Sequence, residues 1–523
     1  MIIGAGHNGL VAAAYLAEAG LRVLVLERRH LVGGAAVTEE LHPGFRFSRA
    51  SYVLSLFRPE IAEHLELARH GLSLLPRDPS SFTPLPDGRS LLLGPDGASN
   101  EREIAKFSTR DARRFGEYEA MLERVAHRVE PLLDWTPPAL TNRRPADGAR
   151  LARMAWWAAR LGRDAPDVVQ LLLGSARTLL DRWFESDVLK ATLGTDAIIG
   201  AMASPRGAGT AYVLLHHVMG ETGGRRGVWA YVRGGMGALS EAIAAAARER
   251  GVTIRTEMPV GRIVVEGGRA VGVELEHGKE IGARAVLSNA DPITTFLRLT
   301  PTEALPGEFR DRVAAIDVAS PSVKINVALS ELPDFRACPG STASPHHRGT
   351  IHISPSLDYI EEAYADAHAG RTSASPVLEI TLPSALDDTL APPGCHVMSM
   401  FVQYGPYTLT GTTWEAERER FGDRCLEILA EYAPNVARSV LFREVLAPPD
   451  QERIFGITGG NIFHGAMTQD QLFSMRPVPG YADYRTPVRD LYLCGAGTHP
   501  GGGVLGACGR NAAREVLRDH ARR

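Results

Sequence analysis

Lysine is nearly missing: the chain of 523 residues carries it only at 106, 190, 279 and 324, and its other basic residues are arginines, a bias that fits a GC-rich bacterial genome. Cysteine is scarce too. The five at 338, 395, 425, 494 and 508 form no C-x-x-C or C-x4-C pair, which argues against a disulfide framework, a zinc site and a thiol redox couple. No run of 18 or more apolar residues exists, so no transmembrane helix is expected. The N-terminus lacks a basic region followed by an apolar stretch, and therefore a secretory signal. The net charge of -4 leaves no nucleic-acid footprint. His346, His347 and His352 lack supporting thiols or carboxylates, so no metal ligand set is assigned. No G-x-S-x-G elbow and no G-x-x-x-x-G-K-[ST] loop occurs, and hydrolase and nucleotide-triphosphatase readings fail.

Glycine, by contrast, is plentiful and concentrated. The opening "MIIGAGHNGLVAAAYLAEAGLRVLVLERRHLVGGAAVTEE" places Gly4, Gly6 and Gly9 in G-x-G-x-x-G. The first glycine permits a tight turn after a strand, the second lets the backbone approach a pyrophosphate, and the third lets the next helix pack on the sheet. An apolar helix, a stop at Gly20 and the buried strand "LRVLVL" follow, ending at Glu27, where a ribose-binding carboxylate belongs; Arg28 is grouped with it. Up to here NAD would serve. The second pair, Gly33 and Gly34, decides for FAD, because its ribityl and isoalloxazine extend the path beyond the pyrophosphate. The first strand, Met1 to Ile3, is short, and the expectation is a true start slightly upstream, or a short strand here.

Residues 61–227 read as a mostly helical insertion carrying Trp156 and Trp157, which either face a greasy channel or a membrane surface or simply pack in a helical cap. Glycines return at 234, followed by a helix and the hairpin "VGRIVVEGGRAVGVELEHG", then the strand of "ARAVLSNADP". Residues 291–455 contain four strand-like runs and a long helix, an antiparallel sheet backed by helices. The close, "RDLYLCGAGTHPGGGVLGACGRNAAREVL", is strand, glycine loop and a helix expected to begin about Val504; its positive end would stabilise negative charge on a reduced flavin. The division is thus FAD-binding segments 1–60, 228–290 and 456–523 with substrate segments 61–227 and 291–455. The fold class is α/β: a discontinuous Rossmann-like domain with an inserted α+β substrate domain on an antiparallel sheet.

The segments "GAGHNGLVAAAYL", "PGFRFSRASYVLSLFRP", "GGNIFHGAMTQDQLFSMRP" and "LYLCGAGTHPGGGVLGACGRNAA" closely resemble the carotenoid oxidoreductases, the phytoene desaturases and carotenoid isomerases among the amine-oxidase-like flavoproteins, over essentially the whole chain. The resemblance implies a glutathione-reductase-type fold and one non-covalent FAD. It places the pyrophosphate at Gly4, Gly6 and Gly9, the adenosine ribose at Glu27, the ribityl path at Gly33 and Gly34, the adenine at the Val260 backbone, and the flavin at Gly495, Gly497, Gly502, Gly503 and Val504. With no cysteine pair and no second nucleotide fingerprint, electrons come to FAD from substrate and leave to oxygen, a quinone or another carrier.

The expected substrate is a hydrophobic small molecule of polyene or isoprenoid kind; a regulatory flavoprotein and a redox-neutral isomerase using reduced FAD stay open beside it. The resemblance also leaves room for peripheral membrane contact and a respiratory-chain protein partner. The scattered cysteines set the expected compartment as a reducing bacterial cytoplasm, and the mitochondrial matrix is the expectation for animal relatives. Lys324, inside "SVKINVAL", either faces the flavin, as a lysine does in amine oxidases, or points outward from an edge strand. His464 and His499 either shuttle protons near the flavin or hydrogen-bond loop backbone, as Gln469 and Arg476 would in a structural role.

Overall fold

The computed structural model describes residues 1–139, 141, 145–222, 224–340 and 342–521. The two ends of the chain meet in one sheet. Its five parallel strands run Thr253–Arg255, Leu24–Leu26, Ile2–Ile3, Val286–Ser288, Leu491–Leu493, so that only one strand separates the first from the last. All-parallel strands need cover on both faces. The helices His7–Glu18, Met236–Glu249 and Ala507–His520 bury alanine-rich faces together with Ile2, Val25 and Leu287. Alanines and Gly509 bring the first and last of these helices close: a Cβ on Gly509 would run into the Asn8 carbonyl oxygen. The hairpin Val260–Glu266 and Arg269–Leu275 extends into a third strand, Glu280–Gly282.

A second sheet of seven strands stands beside the first. Its order is Val440–Leu446, Val323–Leu329, His396–Gln403, Val377–Thr381, Thr350–Ile353, Ser81–Pro84, Ser90–Leu93. The sheet reaches beyond the antiparallel strands read in residues 291–455. Two of its strands come from the earlier insertion, and Thr350–Ile353 pairs with Ser81–Pro84 in parallel. Alternation along the strands gives it two unlike faces. Ile325, Val327, Ile351, Leu378, Met398 and Met400 point one way and bury against Trp414, Phe421 and Leu429 of the helix Trp414–Tyr432. The opposite face carries Lys324, Asn326, His352, Glu379, Ser399 and Gln403, also buried.

Helices between residues 97 and 218 form the cap. The longest, Thr109–Val129, starts at Ser108, whose hydroxyl accepts from the Asp111 N–H at 3.1 Å. Phe115, Tyr118, Leu122, Val125 and Val129 recur at helical spacing and bury in the cap core. Trp157 packs there, its indole donating to the Arg128 carbonyl, while Trp156 is 59% exposed beneath the Arg160 guanidinium. Neither tryptophan lines the cavity described next.

Candidate cofactor and substrate site

One cavity of about 870 Å³ runs from the C-terminal ends of the parallel strands to the polar face of the seven-stranded sheet. Its position follows from the fold, since ligands of open α/β sheets sit beyond the carboxyl ends of the strands. Gly4 leaves its strand at φ +89°, a conformation that favours glycine. A Cβ on Gly6 would lie 2.6 Å from the Asn289 amide nitrogen, so only bare backbone fits. The helix His7–Glu18 then begins with no side-chain cap and no acid in its first turn, which leaves its N–H groups for an anion.

The Glu27 carboxylate closes the turn. Its oxygens accept from the Ala5 N–H at 2.8 Å and the Arg29 N–H at 2.9 Å, and it is 5% exposed. Each oxygen keeps a lone pair for a ribose hydroxyl. Gly33 donates to the Ala5 carbonyl and pairs with Gly6, which lays the 33–34 turn along the same path. These groups fit a dinucleotide: bare amides for the pyrophosphate, an acid for the ribose and a glycine pair for the extension.

Of the residues marked from sequence, Gly4, Gly6, Glu27, Arg28, Gly33 and Gly34 line the cavity, as do Val260, Lys324, His464, Gly503 and Val504. Arg28 is already engaged, donating to the Ile454 carbonyl at 2.6 Å. Gly9, Gly495, Gly497, Gly502 and His499 do not line it. Gly9 serves packing, as a Cβ would strike the Gly4 carbonyl oxygen. A Cβ on Gly495, Gly497 or Gly502 would likewise meet Asn289, Pro292 or Phe463. The last helix begins at Ala507, not Val504; Val504 and Gly506 both take positive φ, which delays it.

Lys324 lies on an interior strand and is 2% exposed, so it is not an outward lysine on an edge strand. Its Nζ donates to Asn326 Oδ1 at 2.5 Å and sits 5.6 Å from the Tyr52 ring centre. Burial lowers its pKa to about 7. His464, at φ +60°, has no partner for its Nδ1 among the described residues, and burial lowers its pKa although Asp291 pulls the other way. His499 hydrogen-bonds the Leu132 carbonyl at 2.7 Å, and its pKa falls to about 4 through burial. That bond ties it to the backbone at Leu132. Arg476 does the same on a larger scale, donating to the carbonyls of Phe463, Gly465, Ala466, Gln471 and Ala496. It ties the 463–471 loop to the glycine loop. Gln469 donates to the Leu173 carbonyl.

Several lining residues carried too little signal to be marked. Asn289 packs on the N-terminal glycines and Tyr52 and Phe401 stack at 5.7 Å across the cavity wall. The signal for this wall lay in the phase of the strands, where polar residues alternate with aliphatic ones in "VKINVAL" and "HVMSMFVQ".

Comparison with known families agrees with this geometry. The family model "Flavin containing amine oxidoreductase" matches residues 9–517. This chain belongs to the flavin-containing amine oxidoreductases. It is 52% identical to the mouse (Mus musculus) pyridine nucleotide-disulfide oxidoreductase domain-containing protein 2, across 99% of this chain and 93% of that one. It is 28% identical to one chain of the limonene dehydrogenase from Castellaniella defragrans, across 99% and 94%. It is 25% identical to a lycopene-forming phytoene desaturase of Pantoea ananas, across 99% and 98%. Cyclohexylamine oxidase of Brevibacterium oxydans shares the fold, with a TM-score of 0.57 at 18% identity, across 100% and 99%. As a flavin-containing amine oxidoreductase the chain is an FAD-dependent oxidoreductase. All five cysteines are free thiols, so the disulfide chemistry in the mouse relative's name has no cysteine pair here. Among the described residues no helix is long and apolar enough to cross a membrane.

Proposed function

We propose that this flavin-containing amine oxidoreductase takes a hydride from carbon of a hydrophobic, isoprenoid or polyene-like small molecule. The electrons then pass to oxygen, a quinone or another carrier. The observation that carries the reading is the continuity of the cavity. Beyond the glycine cradle its walls are Leu56, Ile199, Phe401, Ile462 and Phe463, with Tyr52 and Lys324 at the sheet face. Bound FAD supplies the hydride acceptor. The chain's own residues exclude water along the aliphatic walls and fix the substrate by shape. The names of the limonene and phytoene enzymes point to isoprenoid hydrocarbons, which supports the same class.

The test is anaerobic mixing of FAD-loaded protein with limonene, phytoene, a terpene alcohol and a primary alkyl amine. Bleaching of the flavin band by an isoprenoid compound is expected. Bleaching by the amine alone overturns the substrate class, and no bleaching by any of them favours a regulatory flavoprotein. Product of unchanged mass would mark an isomerase.

A further inference from the structure

The polar face of the seven-stranded sheet holds an acid that the preceding reading leaves without a task. Glu379 is 2% exposed, on the strand Val377–Thr381 behind the cavity wall. Tyr52, on the cavity wall, donates its phenol to Glu379 Oε2 at 3.4 Å. Behind them the Thr195 hydroxyl is 3.2 Å from His352 Nδ1, and His352 lies directly opposite Glu379 on the neighbouring strand. Glu379 Oε1 has no partner among the described residues. An acid buried this way needs a reason, because an unpaired buried polar atom costs about 1–3 kcal/mol.

We propose that Tyr52 is a catalytic acid–base residue at the substrate end of the cavity, and that Glu379 is the positioning residue behind it that stores the proton Tyr52 moves. The inference rests on the oxidation reading above. The substrate loses a hydride to FAD from one atom and a proton from the adjacent C–H or O–H. That proton goes to the Tyr52 oxygen as the phenolic proton passes to Glu379 Oε2, converting carboxylate to carboxylic acid. The electron pair left on the substrate forms the new double bond. After product leaves, the proton returns through Tyr52 to the cavity.

The surroundings support a relay rather than a resting phenolate. Burial raises the Tyr52 phenol well above its ordinary value, so a free phenolate is costly and the proton must be passed on as it is taken up. Burial also raises Glu379 to about 8, with Asp196 adding to the rise and Tyr52 and Arg77 opposing it. Asp196 is raised to about 7 by burial. The groups facing Glu379 are thus Tyr52, Asp196, Thr195, His352 and the Arg77 cation. Arg77 donates to Thr350 and lies between the Trp229 and Tyr231 rings. Lys324 faces Tyr52 from the other side. One cation beside two acids in a dry chamber keeps a proton on the acids near neutrality, so the relay runs as Glu379 ionises, near pH 8 and above.

The experiment uses the FAD-loaded protein in two arms. In the first, infrared difference spectra follow a carboxylic-acid carbonyl band as pH rises from 6 to 10. The band should vanish with a midpoint near 8, be absent in Glu379→Gln, and move in frequency in Tyr52→Phe; a band unmoved by Tyr52→Phe overturns the pairing. In the second, the isoprenoid compound that bleaches the flavin fastest is mixed anaerobically at several concentrations and pH values. Tyr52→Phe should slow the saturating bleaching rate about 10²–10⁴-fold with the half-saturation concentration little changed. Glu379→Gln should remove the rise in rate near pH 8, and Glu379→Asp should restore part of it. Unchanged rates and pH profiles in both variants overturn the proposal while the oxidation reading stands. A panel in which nothing bleaches the flavin overturns both.

Discussion

At the scale of single residues, Lys324 pays most visibly for its place. Its folded-state pKa of about 7 lies below its ordinary 10.5, because burial disfavours the ammonium. A depressed pKa means the unfolded chain binds the proton more tightly between those values. Stability from this group is therefore full above about 10.5 and lost as pH falls toward 7. Lys324→Met should stabilise the protein at pH 7 by up to about 4 kcal/mol, and the gain should fade by pH 10. Urea unfolding at the two pH values checks it; a gain that does not depend on pH would place the lysine in water. Glu27 contributes through its hydrogen bonds instead. Glu27→Ala strips the Ala5 and Arg29 N–H groups of their acceptor, at about 1–3 kcal/mol for each left unpaired. The variant should unfold at lower urea even without coenzyme and retain FAD poorly, which urea titration and the flavin absorbance of purified protein both read.

At the scale of elements, the glycines sort into two jobs that a sequence pattern cannot separate. Gly4, Gly6, Gly33 and Gly34 line the cavity, whereas Gly9, Gly495, Gly497 and Gly502 let chain segments approach one another. Spacing identified the cradle because the strand, turn and helix are adjacent in sequence. In the C-terminal loop spacing does not separate the two jobs, because close packing and ligand contact both demand a missing side chain. The strands of the second sheet were readable one by one. Their partnership with Ser81–Pro84 was not, since pairing across such a separation leaves no local trace. Tyr52 and Glu379 escaped notice for the same reason, being far apart in sequence and joined only by the sheet.

The packing job has its own test: Gly509→Ala drives a methyl into the Asn8 carbonyl and should cost about 1–3 kcal/mol by prying apart the first and last helices. Gly307→Ala, with nothing within 4 Å of the new methyl, should be neutral within about 0.5 kcal/mol or stabilising. Equal losses in both would refute the packing account.

At the scale of the whole molecule, the coenzyme site gathers backbone from the first residues, from Val260 and from Gly503 and Val504. Binding there favours only the folded chain. Protein stripped of FAD should melt lower, and adding FAD at about 100 times its Kd should contribute about 2.7 kcal/mol. Thermal melts across an FAD titration check this, and a melting point indifferent to FAD would argue that the segments close on their own.

The sheet that joins both ends has a consequence for how the protein is made. Translation delivers Ile2–Ile3 first, yet its neighbour Val286–Ser288 emerges only midway and Leu491–Leu493 almost at the finish. A nascent chain must therefore hold Ile2–Ile3 paired on one side only, with Leu24–Leu26, for about half of synthesis, and the sheet stays incomplete until the last strand arrives, a long interval of exposure to aggregation. Ribosome-bound chains halted before residue 491 should still engage chaperones, and release from them should coincide with the arrival of the final strand.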